Sequence, residues 1–117
     1  MTFDSELGLT MDEYQGLALD SAIYDDQFLV LYPALKLAGE AGEVAEKVGK
    51  RLRDHGGAFD DPEWKESMKK ELGDVLWYIA ALADDLGYTL EEVAEANLTK
   101  LASRAARGVL QGSGDDR

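Results

Sequence analysis

Met68-Lys-Lys-Glu71-Leu-Gly-Asp74-Val-Leu-Trp77-Tyr78-Ile-Ala-Ala-Leu82-Ala-Asp-Asp-Leu86 is the stretch that decides the fold. Its apolar residues Met68, Leu72, Val75, Leu76, Ile79, Leu82, Ala83 and Leu86 recur at helical spacing and mark one face of an α-helix. Glu71, Asp74 and Tyr78 form a row along one edge of that face, because about 100° of turn per residue brings i and i+3 to the same side. The segment is therefore a core helix that carries acids at its border.

The same period and punctuation extend outward in both directions. Asp61 is placed to cap this helix and Pro62 fits its first turn, while Gly87 stops it. Upstream, a second periodic segment runs from about Pro33 to Asp54 and ends at Gly56-Gly57. A first helix is expected from about Met11 to Gln27, opened by a Thr10–Glu13 capping box. A fourth starts at Thr89, with Glu92 completing another capping box, and ends near Gly108. Strand-like alternation is almost absent. The connections are short, so consecutive helices should lie antiparallel. The expectation is an all-α protein, an antiparallel four-helix bundle. The two central helices are long for so small a chain and leave apolar surface that one copy does not cover, so the bundle is expected to assemble with a partner subunit. Residues 1–108 form the single domain, and Gln111-Gly-Ser-Gly-Asp-Asp-Arg117 within 109–117 reads as a disordered tail.

Composition narrows the chemistry. With 117 residues, the chain can bury a core without staples. It has no cysteine, which excludes disulfides, thiolate zinc sites and cysteine nucleophiles. No apolar run approaches the roughly 20 residues that cross a bilayer. Met1-Thr2-Phe3-Asp4-Ser5-Glu6 lacks the pattern of a signal peptide, so a cytoplasmic location and no membrane partner are expected. The 24 acidic residues against 12 basic ones give a net charge of −12, which repels nucleic acid. A free triphosphate would be repelled too, so divalent cations must stand between it and such a surface. Solubility is the plainer reading of the acidity.

Two helices carry acids at i, i+3: Glu40 and Glu43 on the second, Glu71 and Asp74 on the third. On the second helix Ala38, Ala41, Val44, Ala45, Val48 and Leu52 make the core face, with Glu40 at its edge and Glu43 and Lys47 just beyond. Both acid pairs border surfaces that should pack together, so a hairpin of these helices brings four carboxylates into one place. Four converging carboxylates cannot all stay ionised without a strong positive charge. Mg²⁺, with Mn²⁺ as a substitute, suits such oxygen ligands. His55 is the one histidine, which argues against zinc and against a di-iron bundle built on Glu-x-x-His. Surface ion pairs with Lys47, Lys69 and Lys70 are the plainer alternative. On the fourth helix the apolar stripe is Leu90, Val93, Ala94, Leu101 and Ala105, and Asn97, Lys100 and Arg104 fall within it or beside it. Asn97 either fixes helix register or, with Lys100 and Arg104, points toward a ligand.

Gly39-Glu-Ala-Gly-Glu-Val-Ala-Glu46 followed by Glu71-Leu-Gly-Asp-Val-Leu-Trp-Tyr78 resembles the MazG-type family of all-α nucleoside triphosphate pyrophosphohydrolases. The family's mark, Glu-x-x-Glu, a spacer, then Glu-x-x-Asp, falls here on Glu40, Glu43, Glu71 and Asp74. The downstream Asn97-Leu-Thr-Lys100-Leu-Ala-Ser-Arg104 also matches, and the resemblance spans roughly Tyr14 to Arg104. It implies Mg²⁺-dependent cleavage of a (deoxy)nucleoside triphosphate to monophosphate and pyrophosphate, a role such as nucleotide-pool cleansing, and a homodimer or dimer of dimers. It implies that Glu40, Glu43, Glu71 and Asp74 are metal ligands and the catalytic acids. It further implies that Asn97, Lys100, Arg104 and Tyr78 contact substrate, with Gln15, Tyr24 and Tyr32 as candidates for the base pocket. Packing is the competing reading for the tyrosines, and interface anchoring for Trp64 and Trp77. A non-catalytic helical interaction module that keeps the fold is the rival to a hydrolase.

Overall fold

The computed structural model describes residues 8–117. Four α-helices follow one another: α1 (Met11–Leu19), α2 (Leu31–His55), α3 (Pro62–Asp85) and α4 (Leu90–Ala106), with a short 3-10 turn, Asp26–Phe28, before α2. No strand occurs among the described residues. The chain is all-helical, as its periodicity predicts.

The helix boundaries show their causes. Thr10 and Glu13 close a reciprocal capping box on α1, and Thr89 and Glu92 do the same on α4. Asp61 accepts from the Trp64 amide, and Pro62 fills a first-turn position whose N–H has no intrahelical partner. Gly56 ends α2 in the left-handed region, at φ 62°.

Two starts and stops differ from expectation. α1 ends at Leu19 instead of running to Gln27. The carbonyl of Ala18 is taken by the Ser21 hydroxyl at 2.7 Å and by the Trp77 indole N–H at 3.0 Å, so α3 caps it from outside. The acidic run Asp25-Asp26 is also unfavourable at a helix C-terminus, and Asp25 instead caps the 3-10 turn. α2 starts at Leu31, two residues before Pro33, which the first turn tolerates. The residue before it, Val30, has φ 68°, a costly conformation for a β-branched side chain. Its N–H donates to the Asp85 carboxylate at 2.8 Å, and the Tyr24 hydroxyl donates to the same group at 3.0 and 2.9 Å. One carboxylate at the end of α3 thus fastens the segment that leads into α2.

α2 and α3 form an antiparallel hairpin, with Lys47 reaching Glu71 and Tyr32 meeting Tyr78. α1 and α4 pack on α3 and on each other, while α2 packs on α3 and makes no comparable contact with α1 or α4. The core is correspondingly small: Ala80, Ala83 and Leu90, with Tyr14 and Ile79 against them. Of the α3 face expected in the core, Leu72 and Leu86 are each 55% exposed, and on α2 Leu52 is 59% exposed. The reason is that only one helix covers α2. The accessible surface of 8359 Å² exceeds the roughly 6,300 Å² that scaling gives for a compact monomer of this mass.

A polar fastener compensates in part. Gln15 is 6% exposed and lies among α1, α3 and α4. Its amide donates to the carbonyls of Ala80 at 3.1 Å and Tyr88 at 3.2 Å, and its oxygen accepts from Leu90 N at 3.1 Å. Replacing Gln15 with Leu strands the buried Leu90 N–H, at a cost of about 1–3 kcal/mol, and removes one donor from the Ala80 and Tyr88 carbonyls. Denaturant unfolding of Gln15→Leu should show a loss of about 2–3 kcal/mol. A loss near zero would mean that water replaces these bonds freely.

Candidate metal centre and adjoining cavity

The hairpin brings Glu40 and Glu43, one turn apart on α2, opposite Glu71 on α3. One carboxylate oxygen from each of these three residues lies within 4.8 Å of the others. Asp74, the fourth acid of the motif, is outside that triad. It lies one turn along α3 and, with Glu40, lines a neighbouring cavity of about 500 Å³. Of the four acids expected to converge, three cluster and Asp74 stands outside them.

Glu40 Oε2 and Glu71 Oε2 are both buried without a hydrogen-bond partner. Burial raises the Glu40 pKa above its ordinary value, and the nearby carboxylates of Glu43 and Asp74 raise it further. Lys36, four residues earlier on the same helix, opposes them. Lys47 Nζ stands 3.2 Å from Glu71 Oε1, so the ion-pair alternative is realised at one of the acids. Lys69 pairs with Glu66 on the same helix and leaves the cluster alone. Oxygen-only donors with orphaned buried oxygens fit a hard divalent cation, and no nitrogen or sulfur ligand joins them.

The cavity beside the triad has an aromatic wall. Tyr24, Tyr32, Trp77 and Tyr78 line it together with Ser21 and Ile23. Tyr24 and Tyr32 stack at 5.1 Å with 26° between their planes. Trp77 meets Tyr78 edge-on at 4.9 Å. The phenol of Tyr78 is pushed up to about 12 by burial first, then by Tyr32, Glu40 and Asp74, and stays a neutral donor. Tyr24 is likewise raised to about 12, by burial and by its bond to Asp85. Ile23, 94% exposed, stands at the rim.

Other expected site residues lie elsewhere. Gln15 is buried away from the cavity with its amide committed to backbone, which removes it from the base-pocket candidates. Asn97, Lys100 and Arg104 lie on α4 and do not line the cavity. Asn97 is exposed, whereas Arg104 is 6% exposed and bonded to the carbonyls of Gly114 and Asp115. Trp64 packs under Phe59 and Arg51 at the α2–α3 turn. Asp85 and Lys36 also belong to this region, Asp85 through Tyr24 and Lys36 through Glu40. The i, i+4 spacing of Lys36 to Glu40 was a usable signal, but nothing local marks Asp85, whose partners are 55 and 61 residues away.

Known proteins resemble this chain over most of its length. The model of the MazG nucleotide pyrophosphohydrolase domain matches residues 32–108. "Gene 37 protein" of Mycobacterium phage L5 is 47% identical over 113 residues, 92% of this chain and 98% of that protein. "Uncharacterized protein YvdC" of Bacillus subtilis (strain 168) is 40% identical over 76 residues, 58% of this chain and 68% of that protein. No solved structure matches. The matched segment holds the acid triad, Asp74 and all of α3 and α4, and on that match the chain belongs to the MazG nucleotide pyrophosphohydrolase domain family.

Proposed function

We propose that the chain hydrolyses a (deoxy)nucleoside triphosphate to the monophosphate and pyrophosphate in a Mg²⁺-dependent reaction. The observation that carries this reading is the pair of buried, unpartnered oxygens of Glu40 and Glu71, with Glu40 also lining an aromatic-walled cavity. Glu40, Glu43 and Glu71 would hold the cation, with Asp74 facing it from the cavity side. The bound cation supplies positive charge that offsets the triphosphate and the charge developing in the transition state.

The chain's own residues then divide the work. The rings of Tyr24, Tyr32, Trp77 and Tyr78 offer a flat apolar surface for a nucleobase. Tyr78, neutral and close to Glu40 and Asp74, donates to the sugar or to a phosphate. Asp74 lies outside the triad and accepts the proton of the attacking water. The water oxygen bonds to phosphorus as the anhydride bond to the leaving pyrophosphate breaks. Lys100 and Arg104 on α4, which do not line the cavity, are the further candidates for holding phosphate once freed from Gly114 and Asp115. The reading includes a second copy of the chain, which would cover the apolar residues left open on α2, α3 and α4, among them Leu35, Leu52, Leu72 and Leu98. Among the described residues, no helix is long and apolar enough to cross a membrane.

Three measurements test this reading. Sedimentation equilibrium should return at least twice the 12.8 kDa of one chain, and a monomer at micromolar concentration would refute the assembly. Metal-free, the fold carries a Glu40 whose carboxyl holds its proton more tightly than in the unfolded chain. The stability it contributes is therefore full at acid pH and falls as pH rises through the folded pKa. Glu40→Gln should melt higher than wild type at neutral pH without metal and lose the stabilisation by Mg²⁺. That stabilisation is about 2.7 kcal/mol at a hundredfold excess over Kd in wild type. A wild-type melting curve indifferent to Mg²⁺ argues for the interaction module instead. The decisive assay is pyrophosphate release from a panel of ribo- and deoxynucleoside triphosphates, with Mg²⁺ or EDTA. Metal-dependent release should fall at least about a hundredfold in Asp74→Asn, with the melting temperature kept. Absence of release from every nucleotide in the wild type would refute the hydrolase.

A further inference from the structure

Arg104 is the most deeply placed charge on α4, at 6% exposure. A buried guanidinium requires a matched anion, since leaving it uncompensated is strongly destabilising. Its closest partners here are neutral carbonyls. Nη2 donates to the Asp115 carbonyl at 2.6 Å and to the Gly114 carbonyl at 3.2 Å, and the Asp115 carboxylate stays 3.6 Å away. The Nε donor is buried and has no partner. Lys100, one turn earlier, reaches the same carboxylate at 3.3 Å. These two cations therefore converge on Asp115, whose side chain is 85% exposed, and the carboxyl of Asp115 is held below its usual range by Lys100 and then Arg104.

The segment that delivers Asp115 is built as a closed loop. The chain beyond Arg107 turns back on α4. Arg117 donates to the carbonyls of Val109, Leu110 and Gly114 at 3.1, 2.9 and 2.6 Å. Arg107 in turn donates to the Arg117 carbonyl at 2.6 Å. Gly112, at φ 122°, makes the reversal, and a Cβ there would stand 3.2 Å from the Arg117 side chain. The loop is held by polar bonds at the surface, and such contacts exchange readily with water.

We propose that residues 109–117 are an intramolecular stand-in for a phosphoryl anion on Lys100 and Arg104, so that an oxyanion binds this pair only when the loop lifts away. Carbonyl oxygens and a carboxylate occupy the positions a phosphate would take, and a tetrahedral oxyanion would also reach the idle Nε of Arg104. The loop thereby acts as a built-in competitor that sets the affinity of α4 for phosphate. The proposal rests on the reading of Lys100 and Arg104 as phosphate-holding groups, but its test uses no turnover and no metal.

Inorganic pyrophosphate is titrated calorimetrically in EDTA against full-length chains. Gly112→Ala opens the loop without changing the net charge. Arg117→Ala opens it while making the chain more acidic, which by itself weakens anion binding. Both should bind pyrophosphate about tenfold more tightly than wild type, a difference of about 1.4 kcal/mol. Adding Lys100→Gln to the Gly112→Ala chain should abolish the gain. Equal affinities for wild type and both opened variants, or a gain that survives Lys100→Gln, would overturn the proposal. Failure of the hydrolase reading would appear elsewhere, as wild-type protein without metal-dependent pyrophosphate release.

Discussion

Like charges held at close range are the constraint around which this fold is arranged. Packing α2 against α3 brings Glu40, Glu43 and Glu71 into one space, where burial and then the neighbouring Glu43 carboxylate disfavour the ionised form of Glu40. A structural protein would avoid such crowding or dissolve it into exposed ion pairs. The exposed pairs Lys50–Glu46 and Lys69–Glu66 show that the chain uses that device elsewhere. At the triad only Glu71 receives a lysine, and a buried oxygen on each of Glu40 and Glu71 remains unmatched. A cluster of this kind could hold a metal ion, which would match those oxygens.

The surrounding packing tolerates this strain with a modest core. Small residues, Ala80, Ala81 and Ala83, let α3 approach its neighbours closely. The side chains that fix the relative placement of helices are largely polar. Gln15 ties α1 to the α3–α4 junction, Trp77 caps α1 from α3, and Asp85 holds the segment before α2. Such directional bonds specify orientation more sharply than apolar contact does. The α2–α3 hairpin is therefore held at its open end by Asp85 and carries its acids in a defined register.

How much of this the sequence disclosed follows from the range of the interactions involved. Capping boxes at Thr10 and Thr89, the Asp61-Pro62 start and the stop at Gly56 are local, and they were legible. The acid pairs on α2 and α3 follow from period alone, as does their meeting once a hairpin is assumed. The premature end of α1 was not legible, because Trp77 supplies its cap from 59 residues away. Gln15 was misplaced as a base-pocket candidate for the same reason: its polar side chain reads as a ligand contact until its backbone partners, 65, 73 and 75 residues away, are seen. Asp74 lies beside the triad and not within it, because separation by one helical turn fixes a face but not the last few ångströms.

The unfavourable φ of Val30 has a mechanical consequence for the cavity. The backbone there is wound against its preference and kept so by a single acceptor on α3. Tyr24, on the same acceptor, and Tyr32, two residues after Val30, are both wall residues. The spacing of the aromatic wall is thus geared to the last turn of α3. The same helix that presents Glu71 and Asp74 at its middle gauges, at its far end, the width of what can lie beside them.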